Sequence, residues 1–188
     1  MPFEDRRIRA TRVSYSVRDA TMDFGQLIVD AILFIFPAYC ANAIPVIAGG
    51  GLPIDFGKKF RDGQPIFGKN KTCRGFISGL IVGTLVGFAE TILFQYPPPL
   101  FGLFLSLGAL LGDLAGAFIK RRLGFAPGKL LPVVDQVDFI VGAVLLSLPV
   151  SFPSMSLELL VAIFLITPPI HLATNFAAYK LGLKNNPW

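Results

Sequence analysis

Charge is scarce in this chain. Asp, Glu, Lys and Arg make up only 15% of its 188 residues, against 53% hydrophobic, which is too apolar for an ordinary soluble globule. Cysteine is scarcer still: Cys40 and Cys73 fall in no paired or metal-ligand spacing, so they read as free thiols. Histidine occurs once, as His171. There is no internal repeat, no low-complexity tract and no Walker-type phosphate loop. No small-residue cleavage site follows the first apolar run, which argues against a secretory signal. No soluble domain carries a basic and aromatic stripe, so a nucleic-acid partner is not expected.

What the chain has instead is long apolar segments, at residues 24–48, 77–94, 100–119, 139–152 and 157–179. Most approach the roughly 20 residues that a spanning helix needs. The fourth is short, with 14 residues between Asp138 and Pro153. It spans only if its first turn carries aspartates into a hydrated, protein-lined pocket. The basic residues set the orientation. Lys58, Lys59, Arg61, Lys69, Lys71 and Arg74 crowd the loop after the first span, and Lys120, Arg121, Arg122 and Lys129 follow the third. The opposite connections, 95–99 and 151–156, carry no charge, so the positive-inside rule places the basic loops and the C-terminus in the cytoplasm. The expected fold is therefore an all-α integral membrane protein: five transmembrane helices, with two cytoplasmic loops forming a polar cavity that faces the cytoplasm. Residues 1–21 are expected to form a peripheral or disordered arm, and 22–188 a single transmembrane catalytic domain. The first 23 residues hold Arg6, Arg7, Arg9, Arg12 and Arg18, which the rule would rather keep inside, and Glu4, Asp5, Asp19 and Asp23 offset them in part. The sequence sets no oligomeric state.

Three carboxylates interrupt the apolar pattern between 112 and 139. Asp113 and Lys120 are seven residues apart, near two helical turns, so they share a face, with Asp113 ~10 Å deeper at a rise of ~1.5 Å per residue. Gly108, Gly112, Ala115, Gly116 and Ala117 surround Asp113, and small residues let another helix or a ligand approach closely. Asp135 and Asp138 share a face at the expected start of the fourth span, where the helix dipole favours negative charge. With no Cys or His nearby, Asp113, Asp135 and Asp138 make an oxygen-only set suited to a hard cation such as Mg²⁺. The alternative is a set of salt bridges to Lys120, Arg121 and Arg122. In the first basic loop, Lys69, Asn70, Lys71, Thr72 and Arg74 recur with glycine and proline punctuation, the mark of a folded loop with donors for phosphate oxygens. A plain patch for lipid headgroups is the competing reading. Cations and carboxylates facing one cavity look like a nucleoside-triphosphate site with a bridging Mg²⁺. His171 and Asn175 share a face just past Pro168 and Pro169, which should kink the last helix. That pair either lines the cavity or makes an interhelical hydrogen bond. Glu90 and Asp30 read as structural or as flanking a lipid portal.

The stretch KRRLGFAPGKLLPVVDQVDF, residues 120–139, resembles the signature of the membrane CDP-diglyceride synthetases, a Lys-Arg pair followed by Asp-x-x-Asp. The small size, GLPIDFGKKFRDGQPIFGKNKTCRGF at 51–76 and HLATNFAAYKLGLKNNPW at the end are similar to the archaeal branch of that family. The resemblance runs from about residue 22 to 188. It departs from the bacterial pattern at Pro127-Gly128-Lys129, where a Lys-Asp pair is usual, and in lacking His-Gly-Gly before Asp135. The resemblance implies a CTP-dependent lipid-phosphate cytidylyltransferase of phospholipid biosynthesis in the cell membrane. It would transfer CMP from CTP to 2,3-bis-O-geranylgeranylglycerol phosphate and release pyrophosphate. Catalytic roles then fall to Asp113, Lys120, Arg121, Asp135 and Asp138, with Mg²⁺ on the three aspartates. The nucleotide would be held by Lys69, Asn70, Lys71, Thr72, Arg74, Lys120, Arg121 and Lys129. No general base is required, because a phosphomonoester is already an anion near neutral pH, its second pKa being about 6. Prenyl tails of the isoprenoid ether-lipid phosphate are expected in a groove lined by Phe34, Phe36, Phe76 and Ile77. Two other classes compete: a small ion or metabolite transporter, for which paired broken helices are missing, and a CDP-alcohol phosphotransferase, whose Asp-Gly-x-x-Ala-Arg motif is absent.

Overall fold

The computed structural model describes residues 23–94, 98–126, 128–131, 133–151 and 155–187. The N-terminal arm, and parts of the two uncharged connections, lie outside them. Five helices account for most of the described chain: α1 Phe24–Ala48, α2 Cys73–Phe94, α3 Phe101–Arg122, α4 Val134–Ser151 and α5 Leu157–Lys180. All five are long and apolar enough to cross a membrane, as the hydropathy pattern predicts. Local chemistry fixes several ends. The Asp23 carboxylate accepts from Gly25 N–H at 3.3 Å to cap α1, and Ser156 Oγ accepts from Leu159 N–H at 3.1 Å to cap α5. Thr72 Oγ1 accepts from Gly75 N–H at 3.1 Å, so α2 begins at Cys73, ahead of the apolar run that marks it in the sequence. The α4 helix likewise starts at Val134 instead of 139, taking Asp135 and Asp138 into its first turns. The aspartates belong to the span, as its short length requires.

α1 touches each of the other four helices. Ala31, Phe34, Ile35 and Ala38 on α1 pack with Phe101, Leu105 and Ala109 on α3, Phe139, Ile140 and Ala143 on α4, and Ala162 and Ile163 on α5. Phe34 stands edge-on to Phe101, with ring centroids 4.8 Å apart. It is buried in the core and so is withdrawn from any lipid groove, contrary to the sequence expectation, because its apolar face is claimed by three neighbouring helices. Phe36 and Ile77 are exposed, and Phe76 faces the cavity described below. Thr167 Oγ1, just before the α5 proline pair, donates to Ile163 C=O at 2.7 Å and pairs with Tyr39 Oη at 2.7 Å.

Glycine sets the closest approaches. On α2 the buried face is Gly75, Gly79, Gly83 and Gly87, spaced by four. A Cβ on Gly83 would stand 2.7 Å from the Pro37 carbonyl oxygen and 2.8 Å from Ala41 Cβ. The opposite face, Ile77, Ile81, Leu85, Phe88 and Ile92, is exposed, as befits side chains against lipid. Between α3 and α4, a Cβ on Gly112 would run into the Asp138 backbone, and one on Gly142 would stand 2.8 Å from Gly112 Cα. Ala115 is exposed and plays no part in this seam. Gly112→Val should therefore push α3 and α4 apart and lower stability by about 1–3 kcal/mol or more. Gly25→Ala, whose added Cβ meets only the Asp23 side chain at ordinary distance, should stay within about 0.5 kcal/mol. Thermal unfolding of the two variants in detergent checks both values.

Candidate active site

The loop between α1 and α2 is folded, as its punctuation predicts. Isolated bridges join Pro53 to Thr72 and Lys59 to Pro65. Asp55, which sequence reasoning passed over, organises the loop: its carboxylate accepts from Gly57 N–H at 3.0 Å and from Phe67 and Gly68 N–H at 2.9 Å each. The signal was legible, since Asp followed two residues later by Gly marks an Asx turn. Arg122 fastens the loop to α3. It pairs with Asp62 at 2.7 Å, donates to Pro65 C=O at 2.6 Å, and lies over the Phe60 and Phe118 rings at 4.8 and 4.7 Å. Arg122 thus serves the loop and not the aspartates.

Beneath this loop is a cavity of about 550 Å³ at the end of the bundle where both basic loops and the C-terminal segment meet. Asp113, Asp135 and Asp138 all line it, as do Lys69, Asn70, Lys71, Thr72, Lys120, Arg121 and Lys129. Arg74 does not: it is exposed on the first turn of α2 and is absent from the lining. The ion pairs differ from those suggested by helical spacing. Lys71 Nζ donates to both Asp113 oxygens at 2.6 Å, reaching across from the loop to α3. Lys120 Nζ instead crosses to Asp135 Oδ2 at 2.6 Å. That same oxygen accepts from Leu131 N–H at 2.9 Å, tying the α3–α4 connection to the first turn of α4. The strained left-handed Val133, with φ 68°, sits at that corner. Asp138 Oδ1 accepts from Phe139 N–H at 2.6 Å, and its Oδ2 occupies the space that a Cβ on Gly116 would fill.

The oxygen donor set of Asp113, Asp135 and Asp138 fits a hard cation in kind. Its present geometry is closed by the two lysines, and among the described residues no three His, Cys, Asp or Glu side chains converge closely enough to hold a metal ion. Arg121 is more telling. It lines the cavity, is buried, and its Nε and Nη1 have no hydrogen-bond partner among the described residues. Buried guanidinium N–H groups without an acceptor are unfavourable, so an anionic occupant is the natural complement.

The fourth wall comes from α5 and the segment after it. His171, Leu172, Asn175, Leu183, Lys184, Asn185 and Asn186 line it, so the His171 and Asn175 pair faces the cavity. Asn175 Nδ2 is 3.2 Å from His171 Nδ1, and Lys184 Nζ donates to Asn175 Oδ1 at 2.9 Å. Burial pushes the Lys184 ammonium below its usual pKa, and nearby Lys71 acts in the same direction. Away from the site, Asp30 accepts from Gln26 Nε2 at 2.7 Å, and Glu90 is buried with no hydrogen-bond partner among the described residues. Cys40 and Cys73 are free.

Five apolar spans around a charge-lined chamber define a multi-pass membrane protein of intramembrane-enzyme type. The family described as "CarS-like: CDP-archaeol synthase" matches residues 24–188, and the chain belongs to that family. Among its relatives, the CDP-archaeol synthase of Pyrococcus furiosus is 48% identical over 167 residues, covering 86% of this chain and 98% of the relative. That of Methanococcus aeolicus is 44% identical over 180 residues, covering 89% and 100%. A solved structure described as "Structural insight into an intramembrane enzyme for archaeal membrane lipids biosynthesis" superposes with a TM-score of 0.74 at 36% identity, covering 79% of this chain and 94% of that one. Neither the transporter nor the phosphotransferase alternative is supported.

Asp55 gives the loop above the cavity a pH response. Burial alone would raise its carboxyl pKa, but the N–H groups of Gly68, Phe67 and Gly57 outweigh burial and hold it below the usual carboxylate range. Its stabilising contribution is therefore complete above the unfolded pKa of about 3.9 and is lost as pH falls through the lower folded value. Asp55→Ala should loosen the loop by about 1–3 kcal/mol at neutral pH. Limited proteolysis at residues 56–67, followed from pH 6 to 3, should show protection falling with pH in the wild type and uniformly low protection in the variant.

Proposed function

We propose that the chamber is the site at which this CDP-archaeol synthase family member joins CTP to an isoprenoid ether-lipid phosphate. The observation that carries this is Arg121, buried on the wall of a cavity that also holds three carboxylates, with its Nε and Nη1 lacking a hydrogen-bond partner among the described residues. In the reaction, an oxygen of the lipid phosphate bonds to the α-phosphorus of CTP. The bond from that phosphorus to the β-phosphate bridging oxygen breaks, and pyrophosphate leaves with the electron pair. The nucleophile is already anionic, so the residues need only hold the reactants in line and offset charge. Lys69, Lys71, Lys120, Arg121 and Lys129 are the cations placed to do so. Mg²⁺ on Asp113, Asp135 and Asp138 would supply further neutralisation of phosphate charge when bound. For that, Lys71 and Lys120 must exchange their carboxylate partners for phosphate oxygens. The basic loops that frame the chamber support its facing the cytoplasm, where CTP is made.

Asn at position 113, 135 or 138 keeps the side-chain shape and removes the charge. Asp113→Asn, Asp135→Asn and Asp138→Asn should each cut CTP-dependent pyrophosphate release about 10²-fold or more while still inserting and unfolding cooperatively. Near-wild-type turnover in all three at saturating Mg²⁺ would remove the metal assignment.

A second measurement separates lysine exchange from a static salt bridge. With Lys71 competing for Asp113, Lys71→Met should bind Mn²⁺ about tenfold more tightly than the wild type without nucleotide, yet bind CTP more weakly. Mn²⁺ titration followed by electron paramagnetic resonance, alongside calorimetry with CTP, reads both. Unchanged Mn²⁺ affinity would show that Lys71 does not guard the site.

A further inference from the structure

The chain contains five asparagines, Asn42, Asn70, Asn175, Asn185 and Asn186, and every one lines the same cavity. Phosphates and carboxylates do not explain this. Anions are met by the lysines and Arg121, and a hard cation by the aspartates. A carboxamide differs from both in offering a donor and an acceptor side by side, which suits the edge of a neutral heterocycle.

The five are not equivalent. Asn70 lies between Lys69 and Lys71 in the cationic loop, and Asn42 is on α1, one turn from Pro45. Asn175, Asn185 and Asn186 form a separate group on the α5 wall, a stretch from His171 to Asn186 that holds no carboxylate. A turn at Gly182 brings the last two there. Leu183 N–H donates to Ala178 C=O at 2.9 Å and Gly182 N–H to Tyr179 C=O at 3.0 Å, with Gly182 at φ 74°. This is the Schellman ending that reverses the chain, folding it back over the chamber mouth.

The surrounding bonds also orient two of the amides. Lys184 Nζ can only donate, so Asn175 must present Oδ1 to it at 2.9 Å. Asn186 Nδ2 donates to Gly128 C=O at 3.4 Å on the α3–α4 connection, which leaves its Oδ1 as an acceptor. An acceptor held in one orientation distinguishes cytosine, whose N4 donates, from uracil, whose O4 cannot. The neighbouring Asn185 amide can donate to the acceptor at N3 or O2.

We propose that Asn185 and Asn186, on the back-folded C-terminal segment, are the nucleobase-reading residues of the chamber and determine its choice of cytosine over uracil. Asn175 and Lys184 act as positioning residues behind them. This rests on the reading of the chamber as a CTP site. It makes the C-terminal segment part of substrate recognition, and it assigns base choice to amides on a different wall from the charges that handle phosphate.

The test compares kcat/KM for CTP and UTP with a prenyl ether-lipid phosphate in the wild type, Asn186→Leu and an Asn185→Ala/Asn186→Ala double variant. Calorimetry with CMP and UMP on the same proteins needs neither lipid nor turnover. The preference for the cytidine nucleotide should fall about tenfold or more in both assays, the weight of one or two hydrogen bonds, while the Mg²⁺ requirement stays as in the wild type. Gly182→Ala, which strains the turn and leaves both amides in place, should weaken the preference in the same direction. An unaltered cytidine-to-uridine ratio in Asn186→Leu and the double variant overturns the proposal and leaves the synthase reading standing. A wild-type protein that turns over no nucleotide removes both together.

Discussion

Everything at the site depends on how closely α3 and α4 can approach. In a bilayer there is little hydrophobic gain from bringing two helices together, so contact between backbones has to supply the attraction. Gly108, Gly112 and Gly142 remove the side chains that would hold the two helices apart, and Gly116 clears space for the Asp138 carboxylate. The result places Asp113 on one helix against Asp135 and Asp138 on the other, at the end where α3 delivers Lys120 and Arg121. Three carboxylates brought together at membrane depth would repel one another. Lys71 and Lys120 make the arrangement tolerable by crossing between elements, one from the loop to α3 and one from α3 to α4. Packing and electrostatics are therefore solved at one seam.

Much of this is legible in the sequence. The five spans follow from apolar length, and the small residues around Asp113 announce a close neighbour. The charges in 58–76 and 120–129 mark the polar end. What spacing along one helix cannot reveal is which partner lies across a gap. Asp113 and Lys120 share a face, yet each finds its counterpart on another element, because a lysine reaching sideways meets an opposite charge sooner than one reaching along its own axis. Phe34 was misplaced for a related reason. An aromatic residue in an apolar helix looks the same whether it faces lipid or three other helices. Arg74 stands with five other loop cations in sequence, but the start of α2 at Cys73 turns it outward. The C-terminal wall was least legible, since its reversal hangs on one glycine whose left-handed backbone is plain only in the folded chain.

Arg121 and Arg122 show how finely one helical turn divides labour. Adjacent residues on a helix point about 100° apart. Arg121 therefore enters the chamber while Arg122 clasps Asp62, Phe60 and Phe118 on the outside. The loop roof and the chamber wall are thus anchored on the same turn of α3. A displacement of that turn shifts both, whereas lateral movement of the lipid-facing α2 reaches the chamber through Phe76 and through the Lys69–Thr72 end of the loop.

The chamber's six cations outnumber its three carboxylates, and this imbalance bears on how a catalytic cycle ends. In the proposed reaction, a triphosphate and a phosphomonoester enter a site whose surplus is positive, and attraction between opposite charges is strong where water is limited. Once pyrophosphate has departed, the lipid left behind carries far less negative charge than the pair from which it was made. On that reading its hold on the lysines and Arg121 would loosen accordingly, while its hydrocarbon chains keep their affinity for the bilayer alongside. The chemistry thus erodes the grip that assembled the reactants, and the finished lipid can drift into the surrounding leaflet without a separate gate to expel it.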